Sequence, residues 1–362
     1  MQDKDWAESA RKKWDSVAKP LDSLGIFEKQ IIQIAGIKGD SDVKLHPASL
    51  FIFCADNGIC AEGISQTDSI VTAEVAKSMA GGGSSACRMA KKAGCLVNVI
   101  DVGIEHDDIL TGVPKRSEDY VDTATGLIEK KIRKGTENFL KAPAMSEDEL
   151  NQAIDCGKEI ARTAAYQGIE IFLTGEMGIG NTTTSAALAS ALLGVSPDVT
   201  VGRGAGLDNA GLNRKREAVK KGLKKYGFDL SEPVYSKEEV KRLMQCLGGL
   251  DIAAIEGFII GAHKAHIPVI IDGVITAVAA LCAVRMCPES RECIIGSHIG
   301  KEPSMKMIMD EMNISAPISA ELALGEGTGA LMELSLLDMA LSVYNEGADF
   351  NDISVKPYKR FE

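Results

Sequence analysis

The amino-acid sequence predicts an α/β fold with a parallel sheet covered by helices on both faces. Three observations support this prediction. Short apolar runs rich in β-forming residues alternate with helical patterns of ten or more residues. The runs are almost continuously apolar, as strands buried on both faces are. The 362 residues are 45% hydrophobic and 25% charged, which is ordinary for a globular chain with a sizeable core.

Two helices are predicted before the first strand. Residues 4–18 suit an amphipathic helix that ends at Lys19-Pro20, because the residue before a proline is pushed out of the α region. A second helix follows the start signal Asp22-Ser23 and runs to about Gly36.

Five strands are predicted after these helices, with further helices between them. In chain order the strands are SLFIFCAD (49–56), LVNVIDVG (96–103), IEIFLTG (169–175), PVIIDG (268–273) and ECIIGSH (292–298). One helix is predicted near 71–93, and the capping-box pattern that starts at Ser146 opens another that runs to about Gln167. Residues 104–145 are the least regular stretch, and we expect a loop or hairpin over one end of the sheet.

Each predicted strand stops at small or acidic residues, among them Asp56, Gly103 and Asp272. In open parallel sheets, ligands bind just beyond the carboxyl ends of the strands. The gathering of polar residues and glycines there predicts a single crevice at that edge, although strand ends carry turn residues in any protein. His298 follows the last strand and is a candidate for ligand contact.

The composition excludes several classes of function. A net charge of −11 argues against nonspecific electrostatic binding to nucleic acid or to an anionic membrane. Nine cysteines without a C-x-x-C pattern indicate reduced thiols rather than a disulfide framework or a zinc site. The N-terminus has no apolar signal region, and the longest apolar run, 267–284, contains Asp272-Gly273 and indicates strand, turn and helix. We therefore expect a cytoplasmic protein that binds neither nucleic acid nor membranes.

The densest motif is GEMGIGNTTT (175–184), between a strand and a helical pattern. Its glycines allow the backbone to approach a ligand closely, and the N–H groups at the start of the following helix suit a phosphate. No Lys-Ser/Thr pair ends the motif, so it is not a P-loop, and its order differs from the dinucleotide fingerprint. A purely structural turn is the alternative.

A second glycine cluster, GRGAG (202–206), lacks the third glycine of the dinucleotide fingerprint. It leaves a Rossmann-type nicotinamide-dinucleotide dehydrogenase as an alternative from another class of enzyme. The helix after it carries five basic residues between Arg214 and Lys221. They form either a solvated basic face or, at Lys215, an inward contact to a phosphate.

A third motif, LGEGTGA (324–330), places Glu326 between glycines. A turn is usually better served by Asp or Asn. The flanking glycines would let a planar ligand lie against the backbone while the carboxylate meets an N–H group edge-on. Glu326 is therefore a candidate catalytic carboxylate, with an ordinary turn residue as the alternative.

Taken together, these segments closely resemble the nicotinate-nucleotide–dimethylbenzimidazole phosphoribosyltransferase family. Ten matching segments occur in family order and cover nearly the whole chain. They are KPLDSLG (19–25), CADNGICAEGIS (54–65), IVTAE (70–74), NVIDVGI (98–104), GEMGIGNTTTSAA (175–187), VGRGAGLD (201–208), GGLDIAAIEG (248–257), PVIIDG (268–273), SHIGKEP (297–303) and LGEGTGA (324–330).

The resemblance implies a Rossmann-like parallel sheet with helices on both faces and a second, small helical domain. Residues 1–40 and 331–362 would form the small domain, with the chain ends together, and residues 41–330 the large α/β domain. Members of the family are homodimers, and their active site lies at the carboxyl edge of the sheet. That location agrees with the crevice expected from the strand ends.

The resemblance also implies roles for single residues. Glu326 matches the family's catalytic carboxylate, and Glu176 matches a second glutamate beside the aromatic base. Met177, Thr67 and Val75 fall where the family lines the base pocket. The residues that would hold the mononucleotide are Gly175, Gly178, Asn181, Gly202, Gly204, Lys215, Asp272 and Ser297.

The implied reaction transfers phosphoribosyl from nicotinate mononucleotide to 5,6-dimethylbenzimidazole or a similar base, giving α-ribazole 5′-phosphate and nicotinate. The glycosidic nitrogen of the donor is already a pyridinium, so nicotinate leaves neutral at nitrogen and needs no general acid. A base must take the N–H proton of the incoming azole, a role typically worth about 10²–10⁴-fold, and the resemblance assigns it to Glu326. The scheme requires no metal and no cofactor.

Three departures from the family pattern bear on which base is used. Asn57 stands where many members have His, Ala323 where many have Arg, and Val75 where Gln or Met is usual. The alternatives are relatives that activate phenol, p-cresol or adenine, one subunit of a heterodimer with a homologue, and a non-catalytic partner subunit.

Overall fold

The structure is a computed structural model that describes residues 3–121 and 125–360. Within them lies one six-stranded, wholly parallel sheet with the strand order β3-β2-β1-β4-β5-β6. Its strands are β1 (Ala48–Ala55), β2 (Cys95–Gly103), β3 (Leu127–Glu129), β4 (Ile171–Met177), β5 (Val269–Ile271) and β6 (Ile294–Gly296). The α/β class and the parallel sheet predicted from the sequence are confirmed.

The helices connect these strands and cover the sheet. They are α1 (Asp3–Ser16), α2 (Ile26–Lys38), α3 (Ile70–Ala80), α4 (Ser85–Lys92), α5 (Glu147–Tyr166), α6 (Asn181–Leu193), α7 (Pro197–Thr200), α8 (Asn209–Lys225), α9 (Lys237–Leu247), α10 (Leu250–Lys264), α11 (Val274–Met286), α12 (Ser304–Glu311) and α13 (Thr328–Glu346). Across the described ranges, no helix combines the length and apolarity needed to cross a membrane.

The middle of the sheet fixes where a ligand can bind. All eight residues of β1 are buried, and β1 pairs with β2 on one side and β4 on the other. From β1 the chain adds β2 and then β3 on one side of the sheet. It then returns and adds β4, β5 and β6 on the other side of β1, so the direction of winding reverses between β1 and β4. Doubly wound sheets bind ligands at such a switch point, beyond the carboxyl ends of the strands.

The two faces of the sheet carry separate hydrophobic cores because side chains alternate along a strand. Phe51 and Phe53 of β1 pack on one face, with Phe258 of α10. Leu50 and Ile52 pack on the other face, in the core that α2, α4 and α13 also enter. Both cores are needed to cover the sheet, as the apolar run of β1 predicts.

On the first face, α5 and α10 touch backbone to backbone at two glycines. A Cβ atom at Gly257 would lie 1.9 Å from the carbonyl oxygen of Ile154, and one at Gly157 would lie 1.9 Å from that of Ala254. No side chain fits in either place. These glycines therefore determine how closely α10, which begins directly after Gly249, packs against α5.

We expect Gly257→Ala to lower the free energy of unfolding by about 3 kcal/mol, because backbone atoms cannot yield as a flexible side chain can. The midpoint of denaturant unfolding measures the change. Gly81→Ala is the matched control, since its Cβ atom would meet nothing closer than 3.5 Å at an ordinary negative φ. Equal midpoints for the two variants would contradict the close contact.

Two sequence predictions about the helices and loops need correction. The single helix near 71–93 is wrong, because α3 ends before Gly81-Gly82-Gly83 and α4 begins anew after the N-cap Ser84. Of the loop or hairpin expected for residues 104–145, the described part is mainly loop, and its strand β3 pairs in parallel with β2 instead of forming a hairpin. Of that stretch, residues 122–124 lie outside the described part of the chain. The capping box that begins α5 at Ser146 is confirmed.

The two ends of the described chain pack together. The rings of Trp14 and Tyr344 lie 5.0 Å apart, and the guanidinium of Arg360 pairs with both Asp15 and Asp22. Helices α1, α2 and α13 nevertheless share one core with the sheet residues. The division into a small helical domain (1–40 and 331–362) and a large domain (41–330) stays a prediction, and residues 1–2 and 361–362 lie outside the described part.

Candidate active site

The glycine motif after β4 lies against the end of β1, at the switch point. A Cβ atom at Gly178 would lie 2.3 Å from the carbonyl oxygen of Ala55, so only glycine fits there. Gly180 has a φ of 95°, a left-handed conformation that suits glycine, and it immediately precedes α6. The motif therefore turns the chain sharply from β4 into α6 and points the start of that helix at the crevice.

Glu326 lies in a strained turn at the same edge of the sheet. It has a φ of 60°, between Gly325 at 81° and Gly327 at 83°. Left-handed conformations are uncommon for residues with a side chain and recur at functional sites. A Cβ atom at Gly175 would lie 2.9 Å from the carbonyl carbon and oxygen of Glu326, so β4 needs glycine there to let the turn approach.

The Glu326 carboxylate faces the start of α4. Its Oε2 atom lies 3.5 Å from the backbone N–H of Ala86, which donates to it, and the Ser84 side chain also hydrogen-bonds to it. Partial burial raises the pKa of Glu326, while these two contacts act in the opposite direction. Burial makes a carboxylate a stronger base, and here it still reaches the cleft because the residue is only half-buried.

Asp272, at the end of β5, holds this turn from below. Its carboxylate accepts hydrogen bonds from the backbone N–H groups of Gly327, Gly329 and Ala330, at 3.1, 2.7 and 3.2 Å. The residue is 1% exposed. These contacts fix the start of α13 and, with it, the position of Glu326.

Ser297 and His298 are buried beside Asp272. The Ser297 hydroxyl donates to the carbonyl oxygen of Ile271 at 2.6 Å and lies 3.0 Å from Nδ1 of His298. The same ring nitrogen is 3.9 Å from the Asp272 carboxylate. The side chains of Asp272, Ser297 and His298 thus contact the protein itself, in a layer beneath the Glu326 turn.

A buried pair of carboxyl groups lies next to that turn. The side-chain amide of Asn181 donates both to Glu176 and, at 3.1 Å, to Asp251. Burial, followed by the charge of Asp251, raises the pKa of Glu176 to about 8, and burial raises the pKa of Asp251 to about 7. A Cβ atom at Gly325 would lie 2.9 Å from Oε1 of Glu176. Because Gly325 directly precedes Glu326, the two glutamates of the site are neighbours.

Lys215 lies inside the protein, and its ammonium group points to the second glycine cluster. The residue is 0% exposed, and its Nζ atom donates to Oγ1 of Thr182 at 2.8 Å. Burial lowers its pKa to about 8, against the opposing charge of Glu302. The solvated basic face is therefore the wrong interpretation at Lys215, whereas Arg214 and Lys221 on the same helix are exposed.

The residues predicted to line the base pocket differ in their burial. Val75 of α3 and Met177 of β4 are half-buried and pack against the same core. Thr67 is exposed and lies farther out, on a cleft of about 610 Å³ that Asp56 and Asn57 also line. Val75 and Met177 are thus apolar side chains at the border of that core, while Thr67 lines a separate, open cleft.

Four residues of the site were not singled out from the sequence: Ser84, Thr182, Asp251 and Glu302. Asp251 and Glu302 lie inside segments that resemble the family, GGLDIAAIEG and SHIGKEP, yet spacing alone does not show that they face the crevice. Ser84 follows three glycines, which is a visible start signal for a helix. In the described parts of the chain, no three His, Cys, Asp or Glu residues are placed to hold a metal ion.

The chain is similar to known proteins over nearly its whole length. The model of a family described as phosphoribosyltransferase matches residues 1–355. The chain is 38% identical over 355 residues to the nicotinate-nucleotide–dimethylbenzimidazole phosphoribosyltransferase of Ruminiclostridium cellulolyticum, covering 98% of this chain and 95% of the relative. It is 37% identical over 349 residues to the protein of that name from Acetivibrio thermocellus, covering 96% and 93%. The crystal structure of CobT from Thermus thermophilus is similar with a TM-score of 0.85 and 32% identity, over 98% of this chain and 100% of that one.

Proposed function

From the premise that this chain belongs to the nicotinate-nucleotide–dimethylbenzimidazole phosphoribosyltransferase family, we propose how its own residues carry out the family's reaction. The chain is a phosphoribosyltransferase of cobalamin biosynthesis. It transfers the phosphoribosyl group of nicotinate mononucleotide to the base 5,6-dimethylbenzimidazole and releases nicotinate.

One observation carries the assignment of the catalytic group: the half-buried Glu326 carboxylate on its glycine-flanked turn, at the switch point of the sheet. As one ring nitrogen of the base attacks C1′ of the ribose, the C1′–N bond to nicotinate breaks and its electron pair returns to the pyridine nitrogen. The proton on the other ring nitrogen passes to Glu326. Attack from the face opposite nicotinate inverts C1′ and gives the α-nucleotide.

Glu176 supports this step in a different way. Burial and the charge of Asp251 raise its pKa to about 8, which favours the protonated form, and that form donates a hydrogen bond instead of competing as a second base. Its neighbour Asn181 fixes its position through the shared contact with Asp251. One ionised and one neutral glutamate then face the base, which leaves Glu326 as the proton acceptor.

The 5′-phosphate would bind where Lys215, Thr182 and the backbone of Gly204 converge. These are a buried cation, a hydroxyl and an N–H group, the donors that phosphates prefer. The glycines at 175, 178 and 202, with Asn181, would then bring the backbone close to the nucleotide. Asp272 and Ser297, the other two residues expected to hold the mononucleotide, lie beneath the Glu326 turn, where Asp272 also fixes the start of α13.

Two flat substrates would meet between these groups. Val75 and Met177 offer an apolar surface to the aromatic base, and Thr67 would close the outer side of its pocket. Holding both substrates in line supplies much of the rate enhancement in such displacements.

Turnover is expected to fall as the pH is lowered, with a midpoint in kcat/KM above the ordinary glutamate value of 4.5. Burial raises the pKa of Glu326, and only its ionised form accepts the proton, so activity is present above that pKa and lost below it. Initial rates of nicotinate release between pH 4 and pH 8 measure the profile. A midpoint at or below 4.5 would contradict the assigned base.

The base itself is tested with a panel of acceptors. Purified protein is incubated with nicotinate mononucleotide and, in turn, 5,6-dimethylbenzimidazole, adenine, phenol and p-cresol, and nicotinate release is followed by chromatography. We expect turnover with the benzimidazole. Turnover with phenols alone would instead identify Glu326 as the base for a phenolic hydroxyl, and quenching of a nicotinamide dinucleotide without transfer would support a dehydrogenase.

We also propose that the active protein is a homodimer. Leu324, just before the Glu326 turn, and Met332 and Met339, seven residues apart on α13, are exposed apolar side chains. Such a stripe is typical of an interface between subunits. Sedimentation of the purified chain tests the mass, and activity that requires a second, homologous chain would indicate a heterodimer.

A further inference from the structure

The carboxylate of Glu302 lies in the second glycine cluster. Its Oε1 atom accepts a hydrogen bond of 2.8 Å from the backbone N–H of Gly204. A Cβ atom at Gly202 would lie 2.2 to 2.6 Å from the carboxylate atoms, so the group rests against the bare backbone. The glycine at 202 is therefore required for a negatively charged group to come this close.

The same carboxylate faces the buried cation of the site. A Cβ atom at Gly204 would lie 3.3 Å from Nζ of Lys215 and 2.9 Å from Oγ1 of Thr182. The charge of Glu302 acts on Lys215 against the effect of its burial. A buried ammonium group without any counter-charge is costly, and Glu302 supplies that charge.

The space left beside these groups is small. The cavity lined by Gly178, Asn181, Thr182 and Gly204 holds about 70 Å³. The Gly204 N–H group at its edge already donates to Glu302, so a phosphate can accept from this N–H group only after the Glu302 carboxylate has moved away. Glu302 is itself half-exposed, between exposed Lys301 and Pro303, and can turn outward without unpacking the core.

We propose that Glu302 is an internal anion that occupies the phosphate subsite of the empty enzyme and is displaced by the 5′-phosphate of the incoming mononucleotide. The inference rests on the proposed function, since it uses the phosphate subsite assigned above. The Glu302 carboxylate occupies the Gly204 N–H group and offers its charge to the Lys215 ammonium, which are two of the donors proposed for the phosphate. The two anions therefore exclude one another.

Such competition has a defined kinetic signature. If the subsite is open only a fraction of the time, every ligand that needs it binds more weakly by that fraction. Substrate and product carry the same 5′-phosphate, so Glu302 weakens both equally. Its removal should therefore change KM and product inhibition by one common factor and leave kcat nearly unchanged.

The test compares Glu302→Gln with the unaltered protein, using inorganic phosphate as the probe in calorimetry. We expect the Kd for phosphate to fall about tenfold, with similar decreases in KM for nicotinate mononucleotide and in the inhibition constant of α-ribazole 5′-phosphate. Glu321→Gln is the matched control, because it removes the same charge from a carboxylate that is exposed on a neighbouring loop. It should leave all three constants unchanged.

Two further variants keep the outcome decisive. Glu302→Ala should tighten phosphate binding in the same direction, whereas Glu302→Asp, which keeps the charge, should stay within about threefold of the unaltered protein. A Kd for phosphate that is unchanged or higher in both Glu302→Gln and Glu302→Ala would show that Glu302 merely ties the loop, and would overturn the inference. If neither the unaltered protein nor any of its variants releases nicotinate, the proposed function fails. The calorimetric Kd for phosphate still decides the role of Glu302 in that case.

Discussion

Glu326→Gln is expected to lower kcat by at least about a hundredfold while KM for nicotinate mononucleotide stays nearly the same. The amide has the size of the carboxylate and can still accept from the Ala86 N–H group, but it cannot take up a proton. Loss of a general base typically costs about 10²–10⁴-fold. Because the phosphate subsite at Lys215 involves other residues, binding of the donor should not depend on this carboxylate.

The same substitution at the neighbouring glutamate separates a base from a polar contact. The raised pKa of Glu176 favours its protonated form, so Glu176→Gln replaces one uncharged hydrogen-bonding group with another. We expect a much smaller loss of kcat than at Glu326. Steady-state nicotinate release measures both variants. Equal losses at the two positions, or a normal rate in Glu326→Gln, would contradict the assignment of the base.

Lys215→Ala is expected to raise KM for nicotinate mononucleotide by about thirtyfold or more. Removing one member of a buried charged pair costs about 2–5 kcal/mol, and each 1.4 kcal/mol corresponds to tenfold in affinity. The loss should appear in KM rather than kcat, since the phosphate is bound alike in the ground state and the transition state. The effect is thus the kinetic opposite of Glu326→Gln.

Two companion variants control for other causes. Lys221→Ala changes the same residue type on the same helix, α8, but at an exposed position, and should leave KM unchanged. Lys215→Met keeps most of the buried apolar stem, so it separates loss of charge from loss of packing. An unchanged KM in both Lys215 variants would remove Lys215 from the phosphate subsite.

The sequence predicted the sheet and the crevice because both depend on local patterns. An apolar run ending in Asp or Gly, as at Asp56 and Asp272, indicates a buried strand and its exit loop without knowledge of the partner strands. The short β3 escaped prediction because its two apolar residues are followed at once by Glu129 and two lysines, whereas the equally short β5 and β6 lie in longer apolar runs. The break between α3 and α4 was visible in Gly81-Gly82-Gly83 and outweighs the helical pattern on either side.

Tertiary contacts account for what the sequence could not show. The inward direction of Lys215 follows from how α8 packs against α6, where its ammonium reaches Thr182, and spacing does not determine this. Asp272 matches a ligand position by resemblance, yet its oxygens accept from three backbone N–H groups distant in sequence. Glu302 reaches Gly204 across 98 residues of chain, a contact that only the folded molecule reveals.

The most direct measurement is a crystal structure of the protein with 5,6-dimethylbenzimidazole bound. We expect a carboxylate oxygen of Glu326 about 2.6–3.2 Å from one ring nitrogen of the base, with the other nitrogen directed towards the Lys215 side of the crevice. A base bound with both nitrogens out of reach of Glu326, directly or through one water, would contradict the account.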